Sequence, residues 1–378
     1  MSELIFTNAA MILADEIVHG TLVIRDGIIV DITSGPATIG IDVGGDYVMP
    51  GCVELHTDHL ESHFQPRPKV RWNMAAALQA HDGQIATSGI TTVFDALRVG
   101  SDGDIELGAA DMQAMAATIS AASAAERLRA DHFIHLRCEV SVSDVMDQFD
   151  AIKDNDRVRL ASLMDHAPGQ RQFVSLDAYR IYYQGKKKIS DAEFEAFCER
   201  RIAESQENSD RNRRLIAAAC HDAGIAVASH DDATADHVAE GVALGVSLAE
   251  FPTTIEAAER SRQAGLQVLM GAPNVVRGGS HSGNVSATDL LAKGALDILS
   301  SDYVPFSLMQ AAFVLAERDL LDLPQAIRLI TANPAAAAQL HDRGRIEIGR
   351  RADLVRVRTA DGLPPFIAGV WREGQRVA

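Results

Sequence analysis

The densest chemistry in this chain lies in residues 49–63, MPGCVELHTDHLESH. Here Val53, Leu55 and Thr57 alternate with Glu54, His56 and Asp58 after a Pro50-Gly51 turn, the period of two expected of a strand. His56 and Asp58 therefore leave one face together. A nitrogen and an oxygen donor side by side at a strand's C-terminal end form the first half of a metal site. A hydrogen-bonded pair is the plain alternative for an isolated H-x-D. His59, Glu61 and His63 follow at once, however, and that is more titratable side chain than one strand end needs for solubility.

Positioning such donors requires a scaffold, and the middle of the chain supplies one. Apolar, β-rich runs at 52–57, 90–96, 132–140, 158–164, 225–230, 247–251, 266–271 and 296–301 alternate with Ala-rich helical stretches. Eight parallel strands predict an α/β fold of (β/α)8 TIM-barrel type, with a doubly wound open sheet as the competing arrangement. A barrel gathers its functional groups at the C-terminal strand ends, and polar residues fall there. The first run ends in His56 and Asp58. The third carries His135, Arg137 and Glu139 on one face. The fourth ends in Asp165-His166, the fifth in His230-Asp231-Asp232 and the eighth in Asp302. Short strand-like runs also occur near both termini, which predicts a small composite β domain from 1–49 and 343–378 beside a barrel at 50–342. A helix is expected over 191–219, with acidic residues early and arginines later.

Composition narrows the function class. The 378 residues are 47% hydrophobic and 23% charged, enough for a large core. The net charge of −17 argues against a general nucleic-acid binder. Cys52, Cys138, Cys198 and Cys220 are widely spaced with no C-x-x-C pair, so they read as buried thiols in a reducing compartment. There is no basic segment leading into an apolar run at the start and no 18-residue apolar stretch. The expectation is a cytoplasmic protein that makes no membrane contact; self-association is left open.

Taken together, the Pro-Gly before the His56 strand, His166, His230, Asp302, the run Thr331-Ala-Asn-Pro-Ala335 and Gly344-x4-Gly349-x2-Ala352-Asp353-Leu354-Val355 resemble the amidohydrolase superfamily along the whole chain. The resemblance implies a metal-bearing catalytic barrel at 50–342 with a small β-sandwich domain assembled from both termini, 1–49 and 343–378. It further implies that His56, His166, His230 and Asp302 belong to a site for one or two divalent metals. No lysine lies near a suitable strand end, so the family's bridging carboxylate falls to Glu139. Where the family's first strand usually reads His-x-His, this chain has Asp58, with His59 as the alternative ligand. Mixed histidine and carboxylate ligands suit Zn²⁺ or Mn²⁺. Asp231 and Asp232 are expected to orient the ligands.

Longer stretches, ELHTDHLESHFQPRPKVRW, SGITTVFDAL, HLRCE, DHAPGQRQF, SHDD and GAPNVVRGGSHSGN, resemble the diphosphatases of phosphonate metabolism in the carbon–phosphorus lyase pathway. That resemblance implies hydrolysis of α-D-ribose 1-methylphosphonate 5-triphosphate to the 5-phosphate and diphosphate. A triphosphate needs cations and N–H donors. Arg67, Lys69 and Arg71 follow the first strand, and Arg277, Ser280, His281 and Asn284 lie in a glycine-rich stretch after the seventh, whose turn amides suit an anion. The run 182–188, YYQGKKK, reads either as a solvated basic face or as a lid over the phosphates. In the expected mechanism Asp302 accepts the proton of an attacking water. An amide hydrolase on the same scaffold, acting on a cyclic amide or an N-acyl sugar phosphate, and a catalytically silent barrel that binds partners are the other readings.

Overall fold

A computed structural model describes residues 2–101, 107–171, 180, 190–280 and 283–378. The 182–188 run and His281 lie outside the described residues.

Sixteen strands among the described residues form two sheets. The N-terminal strands are β1 (Glu3–Ile12), β2 (Ile17–Arg25), β3 (Ile28–Ser34), β4 (Ile41–Asp42) and β5 (Tyr47–Pro50). Next come the barrel strands β6 (Cys52–Thr57), β7 (Ile90–Val99), β8 (Asp131–Glu139), β9 (Val158–Met164), β10 (Ala226–His230), β11 (Leu248–Glu250), β12 (Gln267–Gly271) and β13 (Ile298–Ser300). The C-terminal strands are β14 (Leu354–Ala360), β15 (Leu363–Arg372) and β16 (Gln375–Arg376). Strands β6 to β13 pair in parallel and in sequence order. The seam between β13 and β6 is closed by a bridge between Thr57 and Asp302, with the Asp302 N–H donating to the His56 carbonyl at 3.1 Å. The eight expected barrel strands are all present. This is the TIM-barrel fold, with helices outside.

Inside the barrel, Val53, Leu55, Phe94, Leu160, Ala228, Leu248, Leu269 and Ile298 make one apolar cluster. Residues alternate between that cluster and the helix-facing core. On β8, Ile134, Leu136 and Cys138 face the helices, so Phe133, His135, Arg137 and Glu139 face in. Strand β6 departs from this alternation. Between Glu54 and Thr57 it carries one residue more than β7 does across the pairing, a bulge that re-aims His56. The buried Glu54 carboxylate takes the N–H groups of His56 at 2.7 Å and Ser301 at 2.6 Å, so it satisfies the bulge and pins the seam. Burial raises Glu54 to about 7 despite those donors.

Strands from both termini join in the second sheet, in the order β16-β15-β14-β5-β1-β2-β3 with β4 on β1. Phe6, Met11, Leu22, Ile24, Val48, Leu354 and Trp371 form its own core. Its other residues, among them Ile12, Met49, Val355 and Val370, join the helix-facing core of the barrel. Asp131, at the start of β8, ties the two together by accepting from Arg343 (2.7 Å), Arg351 (2.8 Å) and Arg372 (3.1 Å). The small sheet is thus tied to the barrel at the start of β8, at the opposite end of that strand from Glu139.

The long helix Asp191–Ala223 starts in a Ser190–Glu193 capping box and ends at Gly224, whose φ of 68° is the left-handed conformation that glycine adopts freely. One of its buried faces is polar at helical spacing. Asn212 donates to the carbonyls of Val140 and Val142 at 3.0 Å each, and Asn208 to that of Ser141 at 3.2 Å. Ser205 and Ser209 donate to Asp165. This stripe holds the segments that leave β8 and β9, where Glu139 and His166 sit. The four cysteines are buried and unpaired. No helix among the described residues is long and apolar enough to cross a membrane.

Candidate metal centre

Three imidazoles meet at the open end of the barrel, each fixed through one ring nitrogen. The Nδ1 of His56 lies 3.2 Å from Glu250 Oε1, and the Nδ1 of His230 lies 3.1 Å from Glu250 Oε2. His166 Nδ1 lies 2.7 Å from Glu139 Oε2. A carboxylate on Nδ1 leaves Nε2 as the free ligand atom and fixes the ring that carries it. The His56 and His230 rings stack at 5.7 Å, and His166 stands edge-on to His230 at 5.8 Å. Nε2 of His230 and of His166 lie 3.4 and 3.8 Å from Asp231 Oδ2. That oxygen is buried and has no hydrogen-bond partner among the described residues. A buried, unsatisfied carboxylate oxygen facing two imidazole nitrogens is costly in an empty protein and is what a cation would satisfy. These donors fit a divalent metal.

Backbone geometry helps to aim them. Asp231 follows β10 with φ 56°, and Asp302, just past β13, also has φ 56°. Aspartate tolerates this left-handed region better than most residues, and here it turns the carboxylates over the barrel end. Burial, then repulsion from Asp58, pushes Asp302 up to about 6, against the opposing pull of His56 and Arg137. Glu250 is fully buried, which disfavours its charge, yet His135 and His56 together with hydrogen bonds from His230 and His56 hold it well below the usual carboxylate range. His56 is fully buried too, and Glu250 outweighs that burial to raise it. A deeper layer supports Glu250: the Ser162 hydroxyl donates to Oε2 and also meets His135 Nε2, while His135 Nδ1 rests on the Leu55 carbonyl at 2.9 Å. Burial lowers His135 to about 3, against the opposing pull of Glu250.

Not every expected residue stands where the sequence suggested. His56, His166, His230 and Asp302 gather as expected. Glu139, expected as the bridging carboxylate, meets His166, and Glu250 lies between His56 and His230. Glu139 Oε1 accepts from Arg201 Nη2 (3.2 Å), the His166 N–H (3.1 Å) and the Ser141 hydroxyl, so both its oxygens are engaged. Burial would raise it, but His166 and Arg201 bring it to about 2. Asp58 is 30% exposed at the rim, its Oδ2 3.0 Å from Arg137 Nη1. His59 Nε2 turns instead to Gln84 Oε1 at 3.0 Å. Asp231, expected to act behind the ligands, reaches the histidines directly, whereas Asp232 pairs with Arg171.

Arg67, Lys69 and Arg277 are exposed, and Ser280 and Asn284 are half-buried. The first half of the glycine-rich stretch is a short helix, Ala272–Arg277, closed by Gly278 at φ 80°. Glu250 is the central residue missing from the sequence expectations. The strand-end rule that selected the others would have found it, since it closes β11. Arg201 gave no such signal, because it lies far along a helix whose amphipathic pattern is largely polar.

The comparisons with known proteins agree with this architecture. Residues 64–378 match the amidohydrolase family. The chain is 46% identical over 381 residues to the alpha-D-ribose 1-methylphosphonate 5-triphosphate diphosphatase of Escherichia coli (strain K12), covering 99% of this chain and 100% of that one. Among solved structures, a Xaa-Pro dipeptidase superposes with TM-score 0.67 at 15% identity, covering 99% of each chain. The N-acetyl-D-glucosamine-6-phosphate deacetylase of Mycobacterium smegmatis superposes with TM-score 0.63 at 15% identity, covering 100% of each chain. At such identities the structural likeness bears on the fold alone. The chain belongs to the amidohydrolase family.

Proposed function

We propose that this chain hydrolyses α-D-ribose 1-methylphosphonate 5-triphosphate to α-D-ribose 1-methylphosphonate 5-phosphate and diphosphate, in phosphonate breakdown. The observation that carries this reading is the 46% identity to such a diphosphatase over essentially the whole of both chains. The open valences at the barrel end support hydrolysis there.

In this reading Nε2 of His56, His166 and His230, with Asp231 and Asp302, would hold the divalent cation, Zn²⁺ or Mn²⁺, and Asp58 would close the set at the rim. The cation would supply Lewis-acid activation of water and neutralise phosphate charge. Glu250 and Glu139 keep the imidazoles oriented and their Nε2 atoms free. Asp302 accepts the proton of the attacking water on a carboxylate oxygen. The water oxygen bonds to the α-phosphorus, the bond from that phosphorus to the α–β bridging oxygen breaks, and the electron pair leaves with diphosphate. Arg67, Lys69, Arg277, Ser280, His281 and Asn284, from the loops after β6 and β12, meet the phosphate chain. Residues 50–342 form the catalytic unit, and 1–49 with 343–378 support it.

Turnover in ¹⁸O-labelled water, followed by phosphorus NMR and mass spectrometry, tests the reading. Label in the ribosyl 5-phosphate together with unlabelled diphosphate is expected. Release of orthophosphate alone, or no turnover by metal-loaded protein, would overturn it.

A further inference from the structure

The substrate just assigned brings a chain of anionic phosphates to a barrel end already lined with Asp58, Glu139, Asp231, Glu250 and Asp302. Such a site needs fixed cations besides a metal, and the barrel wall carries two. Arg98 on β7 and Arg137 on β8 are direct partners in the parallel pairing, so they leave neighbouring strands on one face. That face is the inner one: two-residue alternation links Arg98 to Phe94 and Arg137 to Phe133, both in the cluster inside the barrel. Among the described residues no other arginine or lysine of a barrel strand faces inward; Arg159, on β9, is exposed on the outside.

Arg137 is close to everything that matters at this end. Its side chain is 14% exposed and its guanidinium touches Asp58, and the residue pairs in the β8–β9 register with Ser162, whose hydroxyl holds Glu250. Its charge is felt at His56, His166 and Asp302 alike. Its own protonation is secure: burial opposes the charge, but Asp58, Glu61, Asp302 and Glu250 more than offset that. Other buried arginines nearby are committed. Arg201 serves Glu139, Ser141 and Glu204, and Arg171 serves Asp232 and Glu240. Arg137 gives one of its five N–H groups to Asp58, and its Nε is buried with no partner. A planar fork with donors to spare matches a phosphate oxygen pair.

We propose that Arg137 and Arg98 form a two-guanidinium subsite inside the barrel end that binds the diphosphate portion of a nucleotide-like phosphate chain, with Asp58 holding Arg137 in place until the ligand arrives. The subsite rests on the hydrolase reading above for its substrate, yet it is separable from it. In that role Arg137 is a catalytic residue, touching the group that leaves, and Arg98, its partner on β7, secures the same group.

Inorganic diphosphate is the probe. Calorimetric titration of metal-loaded wild type, Arg137→Gln, Arg137→Lys and Arg98→Gln should show diphosphate affinity lowered at least about 10-fold in each variant, because lysine keeps the charge but loses the fork. Metal content and melting temperature should stay at the wild-type level in Arg98→Gln and Arg137→Lys, and added guanidinium ion should restore diphosphate binding to Arg137→Ala. Turnover of the ribosyl triphosphate should fall in kcat for Arg137→Gln, by about 10²-fold or more, and chiefly rise in KM for Arg98→Gln. Diphosphate affinity unchanged in Arg98→Gln and Arg137→Lys overturns the subsite, whatever Arg137→Gln does to folding. If wild type binds diphosphate through these arginines but does not cleave the triphosphate, the hydrolase reading fails and the subsite stands.

Discussion

Two buried histidine–carboxylate clusters sit on opposite faces of the same barrel wall, and they are built to different ends. At the barrel end, His56, His166 and His230 spend Nδ1 on Glu250 and Glu139 and keep Nε2 open. On the outer face, between β7, β8 and the helix Met74–Thr87, Asp95 Oδ1 meets His81 Nε2 and Asp95 Oδ2 meets His132 Nδ1, at 2.7 Å each. His132 Nε2 closes on Asp82 Oδ1 at 3.3 Å, and Asp82 also takes the N–H groups of Arg129 and Ala130. Both clusters contain triads compact enough to be metal candidates. Among the described residues the outer one has used its valences on itself, with only His81 Nδ1 left over, whereas the inner one leaves the Nε2 atoms of His230 and His166 facing a carboxylate oxygen. What separates a ligand site from a structural network is therefore the unspent valence, and the count of histidines alone does not.

The sharpest way to break that contrast is substitution in each cluster. His230→Ala, which removes the ring shared by both inner triads, should abolish metal retention and lower turnover by at least about 10³-fold with a smaller effect on melting, as read by metal analysis and steady-state kinetics. Asp95→Asn should do the reverse. It strands His132 between a neutral amide and Asp82, and should cost about 3–5 kcal/mol in urea unfolding while metal stoichiometry stays at the wild-type value. Loss of metal from Asp95→Asn would erase the distinction. Glu250→Gln leaves every first ligand in place but removes the charge that holds two of them. Metal affinity should weaken by about 10–100-fold, measured by competition with a chromogenic chelator.

The smallest effect is a pH trend. Burial opposes the His132 charge, but Asp95 and Asp82 outweigh it and raise the residue from its ordinary value to about 9. A raised histidine stabilises the fold fully below its unfolded pKa of about 6.5, and that contribution is lost as pH rises through about 9. The stability gap between wild type and His132→Asn should therefore narrow by on the order of 1–2 kcal/mol between pH 6 and pH 10. A gap that widens over that window would mean His132 is neutral.

Much of this was legible in the sequence, because parallel barrel strands are buried on both faces and read as bounded apolar runs. Residues 52–57 and 158–164 match β6 and β9 end to end. His56, His166, His230 and Asp302 were legible for the same reason: a polar residue closing such a run has only the barrel end to serve. Glu139 shows the limit of that rule. Its strand end is right, but Arg201 arrives from a helix far away in sequence and, with Ser141 two residues on, decides what its oxygens bind. The β6 bulge was equally hidden, since it depends on Glu54 reaching the N–H of Ser301 across the seam. Period-two alternation could not tell that His56 is turned by an extra residue. Nor could it tell that His132 and Arg137, five residues apart on β8, face opposite sides and do unrelated work.

Anomalous diffraction from crystals of zinc-loaded protein tests the central claim most directly. The account predicts a peak about 2.0–2.1 Å from Nε2 of the barrel-end histidines, with Asp231 Oδ2 among the nearest oxygens and the His81–Asp95–His132 cluster empty. A peak at that outer cluster, with none at the barrel end, would contradict it.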